Sequence, residues 1–113
     1  MSTKIQRAAE VLSEQYRANQ LFVLPDELVP ASIDEAYGIQ RQFQADTSGD
    51  QGNIGGYKLA YTTAIMQQAN GVNEPCMGIL LANNIRQSPC TLAARDFVRL
   101  GIECEVAVRL GAD

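Results

Sequence analysis

Apolar residues recur at helical spacing near the start of the chain and alternate strictly near its end. Over residues 3–20 they repeat every three or four positions, with charged residues mostly on the other face. This spacing predicts an amphipathic packing helix with the inner residues Ile5, Ala8, Ala9, Leu12 and Tyr16. Residues 21–31 contain Pro25 and Pro30 and are predicted to form a connector.

A second helix is predicted to begin after Ser32. Ser32 and Glu35 have the spacing of a capping box, in which each side chain accepts a hydrogen bond from the other residue's backbone N–H. The helical pattern continues to about Ala45, and Gln40 is predicted to be a hydrogen-bonded amide among apolar neighbours. The polar, glycine-containing residues 46–52 are predicted to form a loop.

Three segments further along have the character of β-strands. Residues 54–62 alternate, residues 79–81 are apolar, and residues 97–100 lead into the last stretch of the chain. Gly55 and Gly56 indicate either a β-bulge or a backbone that closely approaches a ligand.

Residues 101–110 show the clearest alternation and predict a half-buried strand, with Cys104 as a small buried residue. One face carries Ile102, Cys104, Val106, Val108 and Leu110, and the other carries Glu103, Glu105, Ala107 and Arg109. On a strand, the two glutamates would point the same way, about 7 Å apart at the backbone. Their oxygens could then converge on a hard cation such as Mg²⁺, Mn²⁺ or Ca²⁺. The alternative is an ordinary solvated strand face.

Composition narrows the classes of function. The chain has 113 residues and a formal net charge of −4, which fits one domain or part of one and gives no basic surface for nucleic acid or an anionic membrane. The absence of His excludes a Ser-His-Asp or Cys-His pair and a His-ligated zinc within this chain. Three widely spaced cysteines favour reduced thiols and a cytoplasmic protein. No stretch predicts a membrane span or a signal peptide.

Lys58 lies in the middle of the predicted strand over residues 54–62 and has two interpretations. Either its stem runs along an edge strand to reach water, or its ammonium lies in a pocket beside carboxylates. Without His, acid–base chemistry would depend on Lys, Tyr, Cys or carboxylate groups. The glycines before Lys58 do not form a phosphate loop, because the GxxxxGK[ST] spacing fails.

A series of short motifs follows a characteristic order along the chain: Gly56-Tyr57-Lys58-Leu59, Thr62, Gln67, Gly71-Val72, Glu74-Pro75, Gly78 and Glu103-Cys104-Glu105. The start of the second helix, Asp34-Glu35-Ala36-Tyr37-Gly38-Ile39-Gln40, looks like a D-A-Y-x-I-Q pattern. Together they resemble the 2-keto-4-pentenoate hydratase / 4-oxalocrotonate decarboxylase group of the fumarylacetoacetate hydrolase superfamily. The resemblance implies an α+β fold in which N-terminal helices lead into the strands of a mixed β-roll, here cut short.

The resemblance also implies a site. Lys58 matches the active-site lysine of the group, and Glu103 and Glu105 match two of three ligands to Mg²⁺ or Mn²⁺. The third acidic ligand would lie beyond residue 113. Gly55, Gly56 and Thr62 are predicted to contact the substrate.

The sequence departs from the group's pattern in two places. Ala60-Tyr61 stands where Gly-Leu often follows the lysine, and Asn83 stands where the hydratases tend to carry an acidic residue. The second departure removes a carboxylate that would serve a proton relay, so a sister activity of the same group remains open.

The function implied by the resemblance is that of a divalent-metal-dependent hydro-lyase, which adds water to an unsaturated 2-oxo acid in the catabolism of aromatic compounds. A decarboxylase or a C–C hydrolase of the same superfamily is an alternative, as is a non-catalytic partner subunit or fragment. A strand close to residue 113 needs a partner layer. We therefore expect a homo-oligomer, a related partner chain, or residues 1–113 as the N-terminal part of a longer domain.

Overall fold

The computed structural model describes residues 2–112, without the side chains of Asp50 and Gln51. Its elements, in chain order, are helix α1 (Lys4–Arg17), a 3₁₀ turn (Asp26–Leu28), helix α2 (Ile33–Gln51), strand β1 (Ile54–Ala60), helix α3 (Ala64–Ala69), strand β2 (Cys76–Leu81), and 3₁₀ turns at Ala82–Asn84 and Ala94–Asp96. The α+β class is therefore confirmed. None of the described helices is both long and apolar enough to cross a membrane.

Helix α1 packs against α2 through small side chains. Thr3 and Gln6 cap its start, each side chain accepting a hydrogen bond from the other residue's backbone N–H. Ala8, Ala9 and Ser13 are buried, and their small size lets the two helix backbones approach closely. The buried core of this region consists of Ala8, Ala9, Leu28 and Ile39, with Ile5, Val11, Leu12, Leu24 and Phe43 packed around it.

Helix α2 differs from its predicted form at both ends. The Ser32 hydroxyl accepts a hydrogen bond from the Glu35 N–H at 3.2 Å, but the Glu35 carboxylate accepts one from the Ala31 N–H at 2.6 Å, so the predicted capping box is only half formed. The loop predicted over residues 46–52 is wrong, because the helix continues to Gln51. The Thr47 hydroxyl donates to the Phe43 carbonyl at 2.8 Å, which satisfies a polar group inside the helix.

The sheet consists of β1 and β2, paired antiparallel, with Lys58 opposite Gly78 and Leu59 opposite Met77. The register shifts between Ile54 and Gly56, which confirms the predicted irregularity at the glycine pair. No mixed β-roll is seen in the described residues, whose sheet has two strands.

Side chains of α2 cover the outer edge of β2. The Met77 N–H donates to the Tyr37 hydroxyl at 3.0 Å, and the Met77 carbonyl accepts from Gln40 Nε2 at 3.1 Å. The prediction that Gln40 is hydrogen-bonded is thus confirmed. The N–H and C=O of Met77 therefore point away from β1. In an antiparallel pair of strands, the N–H and C=O of the opposite residue, here Leu59, then point away from β2 and towards the outer edge of β1.

The strands predicted over residues 97–100 and 101–110 are wrong. After the 3₁₀ turn at Ala94–Asp96 the described chain has no helix or strand. Cys104 is exposed, and Ile102, Val106, Val108 and Leu110 are between 80% and 96% exposed. Alternation shows that a segment has two chemically different faces, but a strand also needs a neighbouring edge to bond, and this segment has no such partner in residues 2–112.

Candidate functional site

Lys58 lies in the interior of β1, on the face of the sheet that also carries Gly78 of β2. Gly78 has no side chain, so the Lys58 stem extends across β2 at this point. A Cβ atom at Gly78 would lie 3.2 Å from Lys58 Cγ and 3.9 Å from Lys58 Cδ. Strand β1 therefore fixes the position of the Lys58 Cα and Cβ atoms, and the absence of a side chain at Gly78 leaves room for the rest of the lysine side chain.

The Lys58 ammonium makes an ion pair with Glu103. Lys58 Nζ donates to Glu103 Oε2 at 3.2 Å, across a sequence separation of 45 residues. The two side chains are 41% and 72% exposed. Exposed pairs of this kind contribute only about 0.2–1 kcal/mol to stability. The contact matters for the site rather than for stability. It brings a lysine, which is suited to acid–base chemistry, next to a carboxylate, which is suited to cation binding.

Glu105 is exposed on the same irregular segment as Glu103. Without a strand, nothing in the sheet fixes the two carboxylates on one side, and no group of three acidic, Cys or His side chains in the described chain could hold a metal ion. Mg²⁺ is often bound by one or two protein carboxylates, with water and substrate oxygens completing its shell. The donor set of Glu103 and Glu105 fits the protein's share of such a shell.

Gly55, Gly56 and Thr62 lie near Lys58 in sequence but have different surroundings. A Cβ atom at Gly55 would lie 2.7 Å from Ile85 Cδ1 and 2.9 Å from Ala82 Cα, so Gly55 permits a close approach within the protein. At Gly56 the nearest atom would be Leu80 Cδ1, at 3.8 Å. Thr62 is exposed, just beyond the end of β1. Their contact with a substrate stays a prediction.

Tyr61 is a feature that sequence reasoning missed. Its φ of 57° places it in the left-handed region, which is unusual for a bulky side chain. The Tyr61 carbonyl accepts a hydrogen bond from Gln67 Nε2 at 2.9 Å, which ties this turn to α3. The residues between β1 and α3, including Thr62, are therefore held in a defined turn. No residue pattern would have revealed the turn, since glycine is the usual occupant of this conformation.

A groove of about 460 Å³ lies between the two long helices and β2. Its walls are mainly apolar and include Tyr16, Phe22, Phe43 and Leu80. Lys58, Glu103 and Glu105 do not line it, and no carboxylate or ammonium group does. The charged side chains of the candidate site thus lie outside this groove, and we assign the candidate chemistry to Lys58 and the two glutamates because the groove has no acidic or basic side chain in its walls.

The chain is distantly similar to a hydratase. It is 26% identical over 110 residues to the "TodF product hydratase" of Pseudomonas putida, an alignment that covers 96% of this chain and 41% of that protein. The chain therefore spans less than half the length of this curated relative. No family model matches the sequence, and no solved structure matches it.

Proposed function

We propose that the chain carries part of the active site of a divalent-metal-dependent hydro-lyase, which adds water to an unsaturated 2-oxo acid in the manner of 2-keto-4-pentenoate hydratase. The observation that carries the proposal is the 3.2 Å contact between Lys58 and Glu103. The motifs singled out these two residues independently of any contact between them. The distant similarity to a hydratase supports the same reaction class.

In this proposal Lys58 is the acid–base group. Its ammonium has three N–H donors and stands at the surface of β1, where it can hold or deliver a proton at a carbon or oxygen of the substrate. Glu103 orients the ammonium through the ion pair. Gly55, Gly56 and Thr62 are proposed to contact the 2-oxo acid.

Glu103 and Glu105 are the proposed ligands of the cation. A Mg²⁺ or Mn²⁺ ion bound there would supply Lewis-acid stabilisation of the negative charge that develops on a 2-oxo acid. Remaining oxygen donors would come from water, the substrate, or residues outside this chain. Decarboxylation and C–C hydrolysis need the same charge stabilisation, so they are the alternative reactions at this site.

The test is loss of the dienol absorbance of 2-hydroxypenta-2,4-dienoate in the presence of Mg²⁺. We expect turnover by the chain, abolished in Lys58→Ala and strongly reduced in Glu103→Gln. Glu74→Gln is the matched control, since Glu74 is an exposed acidic residue outside the site. Equal turnover in all four proteins would contradict the assignment. Release of CO₂ from a 2-oxo diacid without hydration of the dienol would support the decarboxylase alternative instead.

A second candidate, a non-catalytic partner subunit, is favoured by one specific observation. Ile102, Val106, Val108 and Leu110 are almost fully exposed on an irregular segment. Large exposed apolar patches are typical of surfaces that bind other chains, and these four residues lie within nine positions of one another. Sedimentation equilibrium tests this candidate: association that is lost in Val106→Ser with Val108→Ser supports it, and a monomer at high concentration contradicts it.

A further inference from the structure

We propose that Gly78 is a positioning residue for Lys58: the missing side chain at this position sets the path along which the lysine stem reaches Glu103. The inference rests on the proposed function for its catalytic meaning. The claim that Gly78 positions Lys58 depends only on the strand register and the distances. The positioning role and the hydro-lyase function can therefore be disproved separately.

The register places Gly78 directly opposite Lys58 on the same face of the sheet. An added Cβ at Gly78 would be 3.2 Å from Lys58 Cγ, which is closer than the separation of about 3.5–4.0 Å preferred by carbon atoms. Apart from Lys58, no described atom lies within 4 Å of that position other than in Gly78 and its chain neighbours. The space above Gly78 is therefore used by one side chain.

The neighbours of Lys58 on its own strand are also small, whereas Leu80 and Cys76 of β2, opposite Gly56 and Ala60, share this face on either side of Gly78. Gly56 and Ala60 lie two positions before and after Lys58 on β1, so they share its face. The stem thus has space along β1 but a narrow fit over β2. Any side chain at position 78 would push the stem away from β2, and the ammonium at its end would move further than the stem itself.

A purely structural role for Gly78 would affect the stability of the fold rather than the position of Lys58. Glycine in a strand interior weakens the strand, whereas alanine and especially valine have higher strand propensity. If Gly78 served only the fold, its replacement would either stabilise β2 or destabilise the whole molecule. It would not act on Lys58 alone. This difference makes the positioning role testable by spectroscopy.

The experiment compares two cross-peaks in nuclear Overhauser spectra of the chain. Lysine labelled with ¹³C at Cε gives two side-chain signals, because the sequence has only Lys4 and Lys58. Each lysine is paired with a glutamate, Lys58 with Glu103 at 3.2 Å and Lys4 with Glu35 at 3.1 Å. The Lys4–Glu35 cross-peak is thus an internal reference for the Lys58–Glu103 cross-peak.

We expect Gly78→Ala to weaken the Lys58–Glu103 cross-peak relative to the reference and Gly78→Val to abolish it, with no fall in the thermal midpoint. Gly49→Ala is the control, since a Cβ at Gly49 meets nothing within 4 Å, and it should change neither cross-peak. An unchanged ratio in both Gly78 variants would overturn the proposal, as would a parallel loss of both cross-peaks. A chain that shows the expected ratios but no dienol turnover would leave Gly78 as the positioning residue and reject the hydro-lyase function.

Discussion

Lys58 Nζ and Glu103 Oε2 lie 3.2 Å apart, although the two residues are separated by 45 positions in the sequence. The pair joins β1 to a segment that has no secondary structure and leaves most of its side chains in solvent. It is therefore a direct link between the folded part of the chain and the two proposed cation ligands.

Breaking this pair should change stability very little. In Glu103→Gln we expect the free energy of unfolding to fall by less than about 1 kcal/mol, because both side chains are substantially exposed. The difference from the unsubstituted chain should shrink further in 1 M salt, where the screening length is about 3 Å. Urea unfolding at low and high salt measures it. A loss of several kcal/mol would show that the pair is buried, contrary to the structure.

Glu35 predicts a specific dependence of stability on pH. The Ala31 N–H and the Lys4 ammonium both donate to its carboxylate, and these hydrogen bonds hold the pKa of Glu35 below its usual value. A carboxyl whose pKa is lower in the folded state stabilises the fold above its unfolded pKa, and this stabilisation is lost as the pH falls through the folded pKa. The advantage of the unsubstituted chain over Glu35→Gln should therefore be full at neutral pH.

The advantage should begin to fall as the pH drops below about 4.3, the ordinary pKa of a glutamate, and should disappear below the lowered pKa of Glu35 in the folded chain. Urea unfolding of both proteins from pH 7 to pH 3 measures it. A difference that stays constant over this range would contradict the assigned hydrogen bonds.

The outer edge of β2 should depend on two side chains of α2. Gln40→Ala removes the donor to the Met77 carbonyl, and Tyr37→Phe removes the acceptor for the Met77 N–H. Each change should lower the free energy of unfolding by about 0.5–1.5 kcal/mol. Gln44→Ala is the matched control in the same helix, since the Gln44 side chain makes no hydrogen bond to the described part of the chain. Equal effects of Gln40→Ala and Gln44→Ala would refute the edge contact.

The two glycines at the start of β1 should respond differently to the same substitution. Gly55→Ala should cost about 1–3 kcal/mol, because the new Cβ would lie 2.7 Å from Ile85 Cδ1 and 2.9 Å from a backbone atom of Ala82. Gly56→Ala should be nearly neutral, since its nearest contact would be at 3.8 Å. Thermal unfolding of the two variants decides this, and similar midpoints would contradict the tight contact at Gly55.

Local patterns predicted the helices well because helical hydrogen bonds close within a segment. The apolar spacing of residues 3–20 locates α1, and Ser32 locates the start of α2. The same reasoning ended α2 too early, because Thr47 can bond the Phe43 carbonyl inside the helix as well as form a turn. A polar composition does not distinguish these two uses of a hydroxyl.

The alternation of residues 101–110 failed as a prediction for the opposite reason. A strand is defined by a partner elsewhere. The outer edge of β2 is covered by Tyr37 and Gln40, and residues 101–110 do not pair with the outer edge of β1. The candidate site also combines a feature that local sequence predicts with one that it does not. The motifs picked out Lys58 and Glu103 as residue types, but a contact across 45 positions follows from the folded path of the chain and not from spacing.

Whether Glu103 and Glu105 bind a cation beside Lys58 can be tested most directly with Mn²⁺, whose paramagnetism broadens nearby nuclear signals. In the chain labelled with ¹³C at lysine Cε, we predict that substoichiometric Mn²⁺ broadens the Lys58 signal much more than the Lys4 signal. The effect should disappear in Glu103→Gln and weaken in Glu105→Gln. If Mn²⁺ leaves both lysines unchanged, or broadens Lys58 equally in the unsubstituted chain and in Glu103→Gln, then the proposed metal-dependent site is wrong.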